Sequence, residues 1–488
     1  MKKKLIGTIF FLGLALLMLC KLNDALAIKR SDGIQPMKRF YEQEEDSVDV
    51  IFYGSSHVYS NINPAVLWEE EGIASFDLAA TMQPLWNTYY YIKESLKTQS
   101  PEVMVVELVR ALETEDYIDE ARTIVNTFGM KLSKNKIDNI LASTDDNVLN
   151  YILCYPFYHS RYAELTRKDF ADYLGDPNGG YSKGYYPLYD TEEFDSMPDL
   201  SGVTESGELT EKSEEYLRKI IELSREEDIE LLFIVSPYQG ISEEEEEIFN
   251  RCAEIAAEEG IAYIDFNQMY DELELDPGTD FAEASHLNYK GAEKYSSWLA
   301  EYLKENYDLE DHRGEPDYES WDKNAEDWEQ KKANALLAED EAWNSFLETL
   351  MTGGGTADAG GNEESGFTGS YTFVITLNGE YDNGEQPLVE FLEGIGIPAA
   401  MIEEGGAYIS DRGSVSCYTA GAGGTVYLEF EGTDVKISLS SDGMVFECDG
   451  ESQIRAENGI NVFVYDNYTE SIVTAVGFDA DNGYSIVK

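Results

Sequence analysis

Val48-Asp49-Val50-Ile51-Phe52-Tyr53-Gly54-Ser55-Ser56-His57 is the stretch whose reading sets the fold of the first half of this chain. A short apolar run closed by glycine reads as a buried strand, and the serines after it stand where a strand turns into a helix. The same texture recurs downstream. Ala74–Leu78, Val103–Leu108, Glu230–Val235 and Ala262–Phe266 are further strand candidates. Amphipathic segments lie between them. Glu211–Glu227 carries Tyr216, Leu217, Ile220, Ile221 and Leu223 at helical spacing, and Ser242–Glu259 and Tyr289–Tyr307 read likewise. Apolar strands alternating with such helices predict an α/β domain, a parallel sheet covered on both faces. Ligands of such sheets sit beyond the carboxyl ends of the strands. Ser56, Tyr238 and Asn267 are expected at that edge.

A second stretch, Glu283-Ala284-Ser285-His286, comes just before the last helix of this pattern. The chain holds four histidines, and two of them lie in these two stretches. A serine hydroxyl needs a base to become a nucleophile, and that base needs an acid to fix its tautomer. Ser56, His286 and Glu283 are the candidate set, with Asp280 as the rival acid. The bland alternative is a turn serine and a helix-capping Ser-His pair. Candidate oxyanion donors are the backbone amides of Ser56 and of the loop Ala79–Gln83, Met82 among them. His57, next to the nucleophile, reads as a cap for the following helix.

The 488 residues carry 96 acidic against 35 basic side chains, a net charge of −61. Such a surface repels phosphate backbones, so nucleic acid is excluded as a partner. The run Glu243–Glu247 reads as a solvated helix start, and nothing has the spacing of a metal site. Lys2-Lys3-Lys4 followed by apolar Leu5–Cys20 reads as an export signal. Residues 1–27 are expected to be an uncleaved membrane anchor with the bulk of the chain extracytoplasmic, secretion after cleavage being the alternative. Of the later cysteines, Cys154 and Cys252 fall in the first folded region and Cys417 and Cys448 in the last. Their pairing is left open.

Residues 28–350 are expected to form the α/β domain. It is interrupted by a Tyr-, Asp- and Asn-rich insertion over 115–198 and ends in an acidic helical extension over 312–350, with Trp321 and Trp328 as packing anchors. The insertion is placed to shape a pocket or lid. Residues 351–370 are a Gly-rich linker. Residues 371–488 alternate short apolar runs with Gly, Asp and Asn, which predicts a β-rich domain.

Over roughly residues 45–330 the chain resembles the SGNH (GDSL-like) hydrolase superfamily. It is most similar to the branch of the teichoic-acid D-alanyl transfer and alginate O-acetylation proteins. Gly54-Ser55-Ser56 corresponds to the nucleophile block, and Glu283-Ala284-Ser285-His286-Leu287-Asn288 to the Asp-x-x-His block, with Glu for Asp. Met82 holds the slot of the oxyanion glycine. After Val106-Glu107-Leu108 this chain has Val109-Arg110-Ala111 where the third block supplies an Asn. His159, Arg161 and Lys183 are candidate replacements in substrate binding, with Tyr238 at the pocket wall. The resemblance implies a three-layer, flavodoxin-like SGNH domain. It also implies an acyl-serine enzyme, an esterase or O-acyltransferase without cofactor, acting on a cell-surface polysaccharide or teichoic-acid-like polymer. A membrane-bound O-acyltransferase partner is implied as well. Asn458–Asp466 followed by Ala475–Asp479 resembles the interleukin-like EMT-inducer domain, which implies a glycan-binding β-sandwich. The other functional reading is an inactive surface glycan-binding or scaffold protein.

Overall fold

The computed structural model describes residues 33–158 and 182–339, scattered positions between 11 and 26, and, beyond 370, the strands given below with a few residues around them. Two compact units are present, Met1–Trp328 and Glu329–Lys488. Among the described residues no helix is long and apolar enough to cross a membrane. The expected anchor over 1–27 and the linker over 351–370 fall almost wholly outside the described residues, as do His159 and Arg161.

The first unit is built on a five-stranded sheet of β1 (Val50–Gly54), β2 (Ser75–Ala79), β3 (Val103–Glu107), β4 (Glu230–Val235) and β5 (Ala262–Asp265), in the order β2-β1-β3-β4-β5. Every pairing is parallel. β1 to β3 are buried along their whole length, which is why their sequences are apolar runs rather than alternating ones. The expected strands are all present, with ends shifted by one or two residues. This is the flavodoxin-like strand order, and its switch point lies beside β1, where the chain leaves first towards β2 and then towards β3.

Between Ile34 and β5 the described α-helices are α1 (Ile34–Phe40), α2 (Ser56–Tyr59), α3 (Pro64–Glu71), α4 (Leu85–Ser95), α5 (Glu120–Thr127), α6 (Lys134–Ser143), α7 (Val148–Leu153), α8 (Tyr155–Tyr158), α9 (Glu211–Glu227) and α10 (Glu243–Glu259). The last starts on a capping box in which Ser242 and Glu245 satisfy each other's backbone N–H. Its acidic first turn suits the positive end of the helix dipole.

After β5 come a short antiparallel hairpin of β6 (Phe281–Glu283) and β7 (His286–Leu287), then α11 (Tyr289–Asn306) and α12 (Glu319–Glu339). α12 crosses the boundary between the two units. Its first turns pack on the sheet domain: Trp321 is buried and its indole N–H donates to the Ser75 carbonyl at 3.1 Å, while Trp68 Nε1 donates to Asp322 at 3.0 Å.

The described part of the insertion, 115–158 and 182–198, is largely helical in its first segment. α6 lies along α4, with Asn87 donating to Asn139 Oδ1 (2.6 Å) and Ser143 Oγ (2.8 Å), and Asn135 to the Tyr90 carbonyl at 2.9 Å. Lys183 does not reach a substrate position. It is 1% exposed, its ammonium donates to Gln43 Oε1 (2.7 Å) and Ser320 Oγ (2.6 Å), and it sits 3.3 Å from the centre of the Trp321 ring. Burial pushes its pKa well below the lysine range. Lys183 therefore ties the insertion to α12, a correction to its expected substrate role.

In the second unit the described residues form two antiparallel sheets. One runs Ser414–Thr419, Gly406–Asp411, Tyr371–Asn378, Gly459–Asp466, Ser471–Asp479, Ser485–Val487, and the other Gly424–Phe430, Thr433–Ser440, Gly443–Cys448, Glu451–Ser452. Phe446 of the smaller sheet packs with Val374, Ile409, Phe463 and Tyr465 of the larger, its ring 5.0 Å from that of Phe463. Among the described residues Cys154, Cys252 and Cys417 are free thiols.

Candidate active site

Gly54 ends β1 with Cα opposite Ala79 of β2, and Tyr53 lies opposite Val106 of β3. The three strands therefore finish level. The residues just past them, Ser56, Met82 and Arg110, follow the carboxyl ends of three adjacent strands. A side chain is impossible at Gly54, because a Cβ there would come within 2.8 Å of both Glu107 Cβ and Val58 Cγ2. Ser55 is extended, and Ser56 opens α2. Ser55 is buried, with an unpartnered hydroxyl, whereas Ser56 is partly exposed. Of the two serines, Ser56 is the one that meets solvent.

The hairpin β6–β7 explains why a glutamate three residues before a histidine serves it. Glu283 and His286 are direct cross-strand partners, the closest side-chain pairing a hairpin offers. Glu283 Oε1 bonds His286 Nδ1, and Glu283 Oε2 accepts from the Ser285 N–H at 2.8 Å. Burial alone would raise the Glu283 pKa, but the bonds from His286 and Ser285 outweigh it and hold the group below its usual range. The carboxylate thus fixes the proton on Nδ1 and leaves Nε2 with a lone pair. Nε2 is buried and meets no partner among the described residues. Asp280 is spent elsewhere: it accepts from Lys294 Nζ (2.6 Å), Thr279 Oγ1 (2.9 Å) and the Asp276 N–H (2.8 Å).

Three bonds dock this hairpin on the segment after β1 and on the loop after β4. His57 Nε2 bonds the Ser285 carbonyl, Leu287 N–H donates to Asn61 Oδ1 at 3.1 Å, and Gly240 N–H donates to the Ala284 carbonyl at 2.6 Å. His286 is thereby held on both sides by residues that follow Ser56 within one short helix and its exit. The rings of His57 and His286 lie 5.0 Å apart, and Tyr238, itself buried, lies 5.1 Å from His57 on centroids. Among the described residues no hydrogen bond joins Ser56 Oγ to His286 Nε2. Apo sites commonly show this bond loose.

His57 was read as a helix cap. It is a clamp instead. A carbonyl only accepts, so Nε2 carries the proton. Burial, with smaller pushes from His286 and Arg110, lowers its pKa to about 3, so the ring is neutral at physiological pH.

Met82 lies in the loop after β2. Its φ of 47° is left-handed backbone, uncommon for any residue but glycine. Among the described residues neither the Ser56 nor the Met82 N–H meets an acceptor, the state expected of free oxyanion donors. The Met82 turn is braced by Arg122, whose Nη2 donates to the Met82 carbonyl at 3.1 Å, and by Asn126, whose Nδ2 donates to the Thr81 carbonyl at 3.2 Å. Arg110, just after β3, pairs with Glu113, which also takes Arg122. Neither arginine was singled out from the sequence. Arg110 stands right after β3, so only its place at the sheet edge could have marked it.

Beneath the turn lies Glu107, fully buried, with Oε1 accepting from the Val109 N–H at 2.8 Å. Burial raises its pKa to about 8, against weaker lowering by backbone bonds and Arg110. The folded state therefore keeps a proton that the unfolded chain loses near the ordinary glutamate pKa of 4.5. The sign follows: between about pH 4.5 and 8 the folded form binds more protons, so stability falls as pH rises through that window. Glu107→Gln is expected to remove this slope. Urea melts from pH 5 to 9 would show the variant gaining on wild type by about a few kcal/mol at the alkaline end. Parallel curves would refute it.

No protein-family profile and no curated protein matches this chain. Among solved structures it is similar to a Bacteroides fragilis NCTC 9343 protein provisionally assigned as an acylhydrolase, at 10% identity and a TM-score of 0.27, over 55% of this chain and 93% of that one. A likeness that shallow carries no weight for either fold or chemistry.

Proposed function

We propose that the first unit is an SGNH-type acyl-transfer enzyme working through an acyl-serine. The observation that carries this is the Glu283–His286 pair docked onto the Ser56 helix with Nε2 left unpartnered. Ser56 Oγ attacks the acyl carbon of an ester as His286 Nε2 takes its proton. The carbonyl oxygen becomes an oxyanion, received by the Ser56 and Met82 N–H groups. The bond from acyl carbon to leaving alkoxide breaks, and His286 returns the proton to that alkoxide. Water or a second hydroxyl then attacks the acyl-Ser56 with His286 again as base; the bond from acyl carbon to Ser56 Oγ breaks, His286 returns the proton to Oγ, and acid or a new ester leaves.

The substrate is an acyl ester on a cell-surface polysaccharide or teichoic-acid-like polymer, as the resemblance implies. The setting is extracytoplasmic, and residues 1–27 hold the chain at the membrane or direct its secretion. The β-rich unit serves as a glycan-binding module. A membrane-bound O-acyltransferase partner fits transfer rather than hydrolysis. Full-length protein incubated with an activated acetyl ester and an oligosaccharide acceptor tests this. Acetylated oligosaccharide identifies a transferase and free acetate alone an esterase. Well-folded protein that forms neither product speaks for the inactive scaffold.

A further inference from the structure

We infer that Arg110 and Arg122 form a subsite for an anionic group, a carboxylate or phosphate carried by the substrate beside the scissile ester; this rests on the acyl-transfer reading of the same site.

The two guanidinium groups share a single carboxylate. Arg110 Nη2 and Arg122 Nη2 both bond Glu113 Oε2. Burial would raise the Glu113 pKa, but the two arginines hold it below its usual range, so it is ionised. Within this cluster two guanidinium groups thus face one carboxylate, a local excess of positive charge. Apart from the Met82 carbonyl, these arginines meet no other hydrogen-bond acceptor among the described residues, and both Nε–H groups stay unpartnered. The side chains keep 20% and 14% exposure while Glu113 is buried at 5%. The unpartnered Nε–H groups are themselves buried, within side chains that keep partial contact with solvent.

Position gives the pair its meaning. Arg110 is three residues past the end of β3, as Met82 is past the end of β2, and Ser56 is two past the end of β1. Arg122 is fastened to the Met82 carbonyl, and the Arg110 charge acts on His57 and Glu107. The surplus charge thus flanks the place where an acyl group must sit. In a chain of net charge −61, a local positive site is what an anionic substrate needs in order to approach, and a planar fork suits carboxylate or phosphate oxygens.

Inorganic phosphate titrated into the full-length chain by calorimetry at low ionic strength tests the subsite without turnover. Wild type should bind one phosphate, more weakly as salt rises. Arg110→Gln and Arg122→Gln should each weaken it by about tenfold or more. Arg110→Gln is the decisive variant if Arg122→Gln loosens the Met82 turn, and circular dichroism checks both folds. Two ester pairs then locate the anion. If it belongs to the acyl group, Arg110→Gln lowers the kcat/KM ratio of 4-nitrophenyl hemisuccinate over 4-nitrophenyl acetate. If it belongs to the carbohydrate, the ratio of O-acetyl glucuronic acid over O-acetyl glucose falls. No phosphate binding by wild type, binding indifferent to both variants, or an equal loss on every ester would each overturn the proposal. Wild-type protein that binds phosphate through these arginines but turns over none of the esters would instead count against the acyl-serine reading alone.

Discussion

Replacing Ser56 by alanine is expected to lower kcat on an activated ester by about three orders of magnitude or more while leaving KM within a few-fold, since nucleophile loss in an acyl-serine site leaves only oxyanion stabilisation and binding. The fold should not suffer. Ser56 is at the first position of α2 and partly exposed, so a methyl group fits there without leaving a buried hydrogen-bond partner unpaired. Steady-state kinetics on variant and wild type, with thermal melts as the fold control, measure this. Ser55→Ala provides the contrast. Ser55 is buried, and its loss should be felt in stability more than in the chemical step. Equal activity losses in the two variants would mean that the wrong hydroxyl has been assigned.

The second large effect belongs to Glu283. Glu283→Gln keeps a side chain of the same length opposite His286 but removes the charge that stabilises the imidazolium formed when Ser56 gives up its proton. Losing that carboxylate should cost about 10²-fold or more in kcat. The loss has a pH signature that a merely structural residue would not produce. Without its counter-charge the imidazolium is harder to form, so the acid limb of the kcat/KM profile moves to lower pH as the plateau falls. Asp280→Asn is the control. Asp280 holds Lys294 and the Thr279 turn, so its replacement should lower melting temperature while leaving the position of the acid limb in place. A profile displaced by Asp280→Asn and not by Glu283→Gln would exchange the two roles.

Much of this site could be seen in the residues because two local rules act there. An apolar run closed by Gly54 can only be a buried strand turning sharply, which fixed where the Ser56 hydroxyl would emerge. A glutamate and a histidine separated by two small residues, Ala284 and Ser285, fall opposite each other as soon as the segment folds into a hairpin. What the residues hid is non-local. Arg110, Arg122 and Glu113 lie within a dozen residues of each other, yet they matter because strand order puts the end of β3 beside β1 and brings α5 over the loop after β2. No periodicity encodes that order. His57 was misread for the same reason: its partner, the Ser285 carbonyl, is 228 positions away. Lys183 departs from its expected substrate role because nothing local in a polar insertion marks a lysine as buried. Its burial against Trp321 depends on α12 returning to the far edge of the sheet. Met82 at positive φ shows the reverse case, a backbone shape kept where the residue type that usually permits it is absent.

The most direct test of the central claim is to label the full-length protein with a fluorophosphonate and map the adduct by peptide mass spectrometry. The account predicts one modified residue, Ser56, with labelling lost in Ser56→Ala and slowed in Glu283→Gln. An adduct on Ser55 or on any serine outside the β1–α2 turn, or folded wild-type protein that takes up no label, would contradict it.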